Sequence, residues 1–308
     1  MRYIFGPVPS RRLGFSLGVD PVPFKTCSLN CVYCQLGQTT RLTAQRRRYV
    51  EPEKILNQLD KVLSLGQRID YITLSGSGEP TLNSGIGELI SAIKERTEIP
   101  VAVLTNGTLL FRKGLRSQLL EADLVVPSLD AIDQQGFEHV NRPHPSLKIE
   151  RIIQGMKAFG EIFSGKIWME VMLVKGLNDE DDQIDQMAEV FELLGPERIQ
   201  LNTPVRPPAE SWVEPLSKGR LEDICRRFGP KCEIIVQFSR RAQKSYIADR
   251  EEAILSLISR RPVTVADISQ ALGIHRNEAI KYVETLTNEE KVSEEMRGGQ
   301  RYFQRRIG

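Results

Sequence analysis

The sequence predicts an α/β chain: a parallel sheet with crossover helices, followed by a small unit of helices and a hairpin. Three observations carry this. Short β-rich runs alternate with helical patterns about six times between residues 15 and 205. Each polar or glycine-rich motif falls just after one of those runs, where parallel sheets place their chemistry. The alternation stops near Pro207-Pro208, and the last ~60 residues carry a pattern of their own.

Phe15 to Val22 reads as a strand leading into a loop with three cysteines. Pro52 opens a helix, and Ile55, Leu56, Leu59, Val62 and Leu63 recur along it at helical spacing. Tyr71 to Leu74 is a strand, followed by Ser75-Gly76-Ser77-Gly78-Glu79-Pro80. Ile86, Leu89, Ile90 and Ile93 mark a helix, and Val101 to Leu104 is a strand ending in Thr105-Asn106-Gly107. Leu115, Leu119 and Leu120 lie on a helix, and Leu124 to Val126 is a strand running into Pro127-Ser128-Leu129-Asp130. Ile149 to Phe163 is helical and Ile167 to Val174 is a partly alternating strand. Ile184, Met187, Val190, Phe191 and Leu194 form a helix, and Ile199 to Leu201 is a strand.

A helix over Leu216 to Phe228 and a strand over Glu233 to Phe238 complete the first domain, residues 1–240. Ser239 to Ser245 reads as a polar linker. In the second domain, residues 247–308, Ala253, Ile254, Leu257 and Ile258 mark one helix. Thr264 to Asp267 caps a second, Leu272-Gly273-Ile274 makes a turn, and Ile280, Val283 and Leu286 mark a third. Lys291 to Phe303 reads as a hairpin with Gly298-Gly299 at its tip. Three helices plus a hairpin resemble a winged helix-turn-helix domain.

Composition sets outer bounds. The 308 residues are 40% hydrophobic and 27% charged, enough apolar chain for a real core, and periodic apolar segments to the end exclude disorder. No run approaches 18 uncharged apolar residues, so a membrane span is not expected. The start, MRYIFGPVPSRRLG, has no apolar core of a signal peptide, so a cytoplasmic protein is expected. A net charge of +2 does not make the chain a general polyanion binder. From Ile247 onward ten basic residues balance ten acidic ones. Docking to a partner or closure over the first domain therefore competes evenly with nucleic-acid binding, and DNA binding is not favoured.

The five cysteines are Cys27, Cys31, Cys34, Cys225 and Cys232, an odd and clustered set that makes a poor disulfide framework. Thiolates are soft ligands suited to iron–sulfur clusters, and three from one loop leave one iron of a cubane without a protein ligand. Zinc is the competing reading, but it usually brings paired CxxC knuckles or nearby histidines. His139, His144 and His275 are far away in sequence, and Cys225 and Cys232 read as small core hydrophobes.

The run CSLNCVYC resembles the CxxxCxΦC signature of the radical S-adenosylmethionine (SAM) superfamily, with Tyr33 in the aromatic slot. The resemblance covers roughly residues 15 to 205. It implies a partial (β/α)6 barrel, here followed by the small winged helix-turn-helix-like domain. It also implies a [4Fe-4S] cluster on Cys27, Cys31 and Cys34 whose open iron chelates the amino and carboxylate groups of SAM. An electron from a donor such as flavodoxin or ferredoxin then cleaves SAM to methionine and a 5′-deoxyadenosyl radical, which takes hydrogen from a substrate. Gly76, Gly78 and Glu79 resemble the motif that binds the SAM amino group. Asn106, Ser128 and Asp130 match positions that hydrogen-bond its ribose or carboxylate. The strand around Glu170 to Leu173, with Leu201-Asn202-Thr203, would flank the adenine. Read without the resemblance, the GSGEP run is an ordinary turn, Ser128 and Asp130 are strand-end caps, and Glu170 is a structural or solvent-facing residue.

LSGSGEPTL, PSLDA and Asn141-Arg142-Pro143 resemble the group that includes tRNA wyosine-synthesis enzymes. No cysteine precedes Cys27 for a second cluster such as the wyosine synthase carries. Catalytic residues and substrate stay unassigned. Arg11 and Arg12, Arg46 to Arg48, and Arg206 would suit a phosphate or carboxylate if they converged, pointing to RNA or another anionic substrate. Solvated faces and ion pairs are the ordinary reading of Arg46 to Arg48. A protein partner activated by a glycyl radical, or an iron–sulfur redox regulator that binds DNA, are the alternatives. The full set of SAM motifs argues against the regulator.

Overall fold

In the computed structural model the described residues are 3–10, 12–235, 250–272, 274 and 276–306. The chain begins with β1 (Ile4–Ser10) and β2 (Gly14–Val19), then the two-residue strands β3 (Thr26–Cys27) and β4 (Arg41–Leu42). Next come α1 (Pro52–Leu63), β5 (Tyr71–Leu74), α2 (Ile86–Lys94), β6 (Val101–Thr105), α3 (Lys113–Gln118) and β7 (Leu124–Pro127). These are followed by α4 (Gln134–Asn141), α5 (Ile149–Gly160), β8 (Lys166–Met172), α6 (Asp181–Leu194), β9 (Arg198–Asn202), α7 (Lys218–Arg227) and β10 (Cys232–Ile234). The last part holds α8 (Arg250–Ile258), α9 (Val265–Leu272), α10 (Arg276–Asn288), β11 (Val292–Arg297) and β12 (Gln300–Arg305).

Eight strands form one sheet in the order β1-β2-β5-β6-β7-β8-β9-β10. Every pair from β2 onward is parallel, and β1 pairs antiparallel with β2. Alternate side chains go to opposite faces. Val101, Val103, Val125, Met169, Val171, Ile199 and Leu201 pack outward with the helices in the main core. Ala102, Leu104, Leu124, Val126 and Trp168 point the other way and make a second cluster inside the curl of the sheet. Leu13, between β1 and β2, packs into that inner cluster and floors it. The result is the predicted partial barrel, with the C-terminal strand ends gathered at one mouth.

The short strands β3 and β4, the edge strand β1 and helix α4 were not anticipated. β1 carries Pro7 and Pro9, which spoil a central strand but are tolerated on an edge. Helix α4 is short and starts where the Asp133 side chain accepts the Gly136 amide at 2.8 Å. The expected strand over Glu233 to Phe238 is shorter and starts one residue earlier, at Cys232. Its remainder beyond residue 235, the Ser239 to Ser245 linker, and Gly273 of the expected turn lie outside the described residues.

The C-terminal unit consists of three helices and the antiparallel β11–β12 hairpin. Ile254, Ile268, Val283, Leu286 and Phe303 fill its core, which also takes in Val8 of β1. Its capping box forms as expected: the Thr264 amide donates to Asp267 Oδ2 at 2.8 Å, and the Asp267 amide to Thr264 Oγ1 at 3.1 Å. Among the described residues no helix is long and apolar enough to cross a membrane.

Candidate functional site

The cysteine loop is built by pairing, not left hanging. Cys27 lies opposite Leu42 in the short β3–β4 ladder. The Lys25 amide donates to the Ser77 carbonyl at 2.7 Å, and the Glu79 amide to the Thr26 carbonyl at 3.0 Å. These bonds clamp the cysteine loop to the SGSGEP loop after β5. Gly78 makes the clamp possible, because a Cβ there would fall 2.2 Å from the Thr26 carbonyl oxygen.

Each thiol meets one side-chain nitrogen donor. Asn106 Nδ2 lies 3.5 Å from Cys27 Sγ, Asn141 Nδ2 3.4 Å from Cys31 Sγ, and Lys25 Nζ 3.2 Å from Cys34 Sγ. Burial, with the Glu79 charge nearby, pushes the Cys27 thiol up to about 12. Burial and then Asp130 push the Cys31 thiol up as well. Without metal both are neutral at physiological pH. A bound metal displaces such protons, and the three donors then face three thiolates.

This arrangement fits an iron–sulfur cluster better than zinc. All five cysteines are free. Three sulfurs on one loop, each with a nitrogen donor, suit a cubane that takes three protein ligands.

The remaining predicted residues gather around this loop. A narrow cleft is lined by Leu29, Asn106, Thr108, Ser128, Asp130 and Asn141. Asp130 is a hub: Oδ2 accepts from the Tyr33 hydroxyl and from Asn141 Nδ2 at 2.7 Å, and Oδ1 accepts the Met172 amide at 2.8 Å. Burial raises its carboxyl to about 6, against the pull of those hydrogen bonds. Glu79 is 2% exposed, and its carboxylate is fully engaged within the chain. Oε1 accepts from Thr81 and Thr105, and Oε2 accepts the Asn106 amide at 2.7 Å. Glu79 thus pegs the β5 and β6 loops together.

Sequence reading missed Lys25, Asn141 and Asp20. Asn141 comes from the end of α4, 110 positions from Cys31; the Asn141-Arg142-Pro143 run marked a likeness to other sequences but not this contact. The arginines do not converge. Arg46 is half-buried under the loops, bonded to the Thr81 and Asn83 carbonyls and Gln118, and burial lowers its guanidinium to about 10. Arg47 stacks on Tyr49, and Arg48 pairs with Glu51 and Glu88. Arg206 pairs with Asp267 of the C-terminal unit at 3.5 Å. Among the described arginines of this set only Arg12 enters the barrel, where it meets Glu170 at 2.6 Å; Arg11 lies outside the described residues. Glu170 is thus an inward-facing member of an ion pair.

A model of the radical SAM superfamily matches residues 22–188, more than half of the chain. The chain belongs to the radical SAM superfamily. Members of this superfamily bind a [4Fe-4S] cluster and SAM and need an electron donor, so the protein is a radical SAM enzyme. A UPF0026 protein from Methanocaldococcus jannaschii is 32% identical over 314 residues, 100% of this chain and 97% of its own length. A Brachyspira hyodysenteriae protein described as GTPase Obg is 36% identical over 96% of this chain, which spans only 44% of that relative. Among solved structures, TYW1 with a bound lysine-pyruvate adduct shares the fold at TM-score 0.52 and 19% identity, over 73% of this chain and 75% of that one. A radical SAM methyltransferase from Sphaerobacter thermophilus does so at TM-score 0.56 and 18% identity, over 71% of this chain and 65% of that one.

Proposed function

We propose that this radical SAM enzyme cleaves SAM reductively on a cluster held by Cys27, Cys31 and Cys34, and abstracts hydrogen from a polar organic substrate bound inside the barrel. The observation that carries this is the loop with three half-buried thiols, each matched by a nitrogen donor from Asn106, Asn141 or Lys25. When bound, the cluster supplies an electron to SAM, splitting it into methionine and a 5′-deoxyadenosyl radical that takes a hydrogen atom from the substrate. The backbone around Gly76 and Gly78 holds the SAM ammonium, with Glu79 bracing the loop from behind. Asn106, Ser128 and Asp130 line the cleft for its ribose and carboxylate. Tyr33 keeps the cysteine loop seated on Asp130. The electron comes from a donor of the flavodoxin or ferredoxin class.

The inner face of the sheet supports the substrate reading. Ser128, Glu170 and Gln200 are register neighbours across β7, β8 and β9, so they share that face. Arg12 Nη1 and Gln200 Oε1 are buried there with no partner among the described residues. A donor and an acceptor left without partners in one chamber suit a polar substrate that presents the complementary groups.

Anaerobic reconstitution tests the reading. The wild type should take up about four irons per chain and convert SAM to 5′-deoxyadenosine with a strong reductant. Serine at Cys27, Cys31 and Cys34 together should abolish both, while serine at Cys225 or Cys232 should abolish neither. Iron retained in the triple variant, or S-adenosylhomocysteine as the only product, would overturn the proposal.

A further inference from the structure

The sheet is open. β1 and β10 form its two ends, and among the described residues they are not bonded to each other. The C-terminal unit touches β1 on one side and the segment after β9 on the other. On the β1 side, Val8 belongs to the unit's core and the Arg260 guanidinium lies 4.5 Å above the Phe5 ring. On the other side, past β9, the Tyr302 hydroxyl donates to the Val205 carbonyl at 3.0 Å, and Arg297 Nη2 to the Val213 carbonyl at 2.6 Å. Arg206 pairs with Asp267 in the same region.

One of these contacts goes deeper than docking requires. Arg260, just after α8, puts Nη1 on Asp20 Oδ2 and 3.4 Å from Ser77 Oγ. Asp20 Oδ2 also accepts the Ser77 amide at 3.1 Å and the Ser77 hydroxyl. Gly76 lies flat against the same carboxylate, where a Cβ would come 2.5 Å from Asp20 Cγ. Asp20 is 4% exposed and the Arg260 side chain 14% exposed, so this ion pair is largely withdrawn from water. An exposed pair would serve for docking. A desolvated one is costly to build and costly to break, because removing one partner leaves a buried charge.

We propose that Arg260 is a positioning residue for the SAM site: it neutralises Asp20, Asp20 fixes Gly76 and Ser77, and the C-terminal unit thereby couples closure of the barrel's open side to the shape of the SAM loop. This rests on the assignment of Gly76 and Gly78 to SAM in the proposed function. Burial raises the Asp20 carboxyl, with Arg260 and Ser77 pulling it back down, so the ion-paired form depends on the unit being docked. Linkage makes the effect reciprocal: a docked unit favours SAM, and SAM favours the docked unit. Closing the side of the barrel in step with SAM binding also shields the radical from solvent. The family model ends at residue 188, so this contact lies outside the segment that defines the superfamily.

Reconstituted full-length R260M, R260K, D20N/R260M and R297M are the variants to compare with the wild type. SAM binding is measured by equilibrium dialysis and amide exchange of residues 20–26 and 75–80 is measured without SAM. R260M should keep its iron, bind SAM about tenfold more weakly and exchange faster at residues 75–80. R260K should fall between it and the wild type, and D20N/R260M should recover much of the loss, since no buried charge is then left alone. R297M, which weakens docking at the Val213 carbonyl but leaves the Arg260–Asp20–Ser77 contacts in place, should change both readouts less than R260M does. Unchanged SAM affinity and unchanged exchange at residues 75–80 in R260M would overturn the proposal. If the wild type binds no SAM, the SAM-site reading fails on that arm, while the exchange arm still decides whether Arg260 positions the loop.

Discussion

Tyr33 donates its hydroxyl to Asp130, and this contact ties the middle of the cysteine loop to the turn after β7, 97 positions away. Asn141 joins both, donating to Asp130 and to Cys31 Sγ. The cysteine loop is therefore held by the barrel's third and fourth strand ends as well as by its own short ladder. Disturbing any of these partners should register at the sulfurs.

Donors to the sulfurs should set the electron affinity of the bound cluster. Lys25→Met removes the Nζ contact to Cys34, and Asn141→Ala the Nδ2 contact to Cys31. Each variant should still load iron but show a reduction potential lower by about 40–60 mV, the equivalent of one hydrogen bond worth about 1 kcal/mol. A spectroscopically monitored redox titration checks this, and an unchanged potential in both variants would remove the donors from the account.

The Arg12–Glu170 pair inside the barrel predicts strongly non-additive mutants. Both side chains are 17% exposed. Arg12→Met or Glu170→Met alone should cost about 2–4 kcal/mol, because each leaves its partner's charge poorly compensated. The double variant should cost less than the sum. Urea denaturation across the four-member cycle gives the coupling directly, and simple additivity would show that solvent screens the pair.

Gly18 should tolerate no side chain. A Cβ there would fall 2.0 Å from the Phe5 ring, which lies between Gly18 and Arg260. Gly18→Ala should lower stability by about 1–3 kcal/mol through overpacking. Phe5→Leu in the same chain should restore part of it. Thermal melts of the single and double variants decide, and a neutral Gly18→Ala would mean that Phe5 has room to move.

Acid should release the C-terminal unit at its Arg206 contact. Burial pushes the Asp267 carboxyl up, but the Arg206 charge, bonds from Thr264 and the Arg261 charge outweigh it, and the net value lies below 3.8. A carboxyl held lower in the folded than in the unfolded chain adds stability above the unfolded value of about 3.9. That contribution disappears as the pH falls through the folded value. Asp267→Asn should therefore lower the melting temperature at pH 7, and the penalty should shrink as the pH falls from about 4 and vanish below the lower folded value. A penalty that is the same at both pH values would contradict the assignment.

The sheet and the cysteine loop were legible in the sequence alone. Strand–helix alternation is local, because side-chain periods of about 2 and 3.6 residues are written along each segment. The three cysteines and the glycines at 76 and 78 are likewise short-range patterns, since a loop that must approach a ligand or a carbonyl carries its constraint in place. Their spacing carried the superfamily with it. Contacts that join distant segments were not legible. Asn141 reaches Cys31 and Arg260 reaches Asp20 only because the sheet curls and brings those positions together, 110 and 240 residues apart. The arginines show the same limit in reverse. Their charge suggested a substrate, but whether a guanidinium faces a ligand or a neighbouring carboxylate depends on what packs beside it, and Arg46, Arg48 and Arg206 each found a partner within the chain. The neutral composition of the last segment left nucleic-acid binding and closure over the barrel equally open. Tertiary structure decided where that segment sits, because the apolar edge of β1 and the buried carboxylate of Asp20 both needed cover that the first half of the chain does not provide.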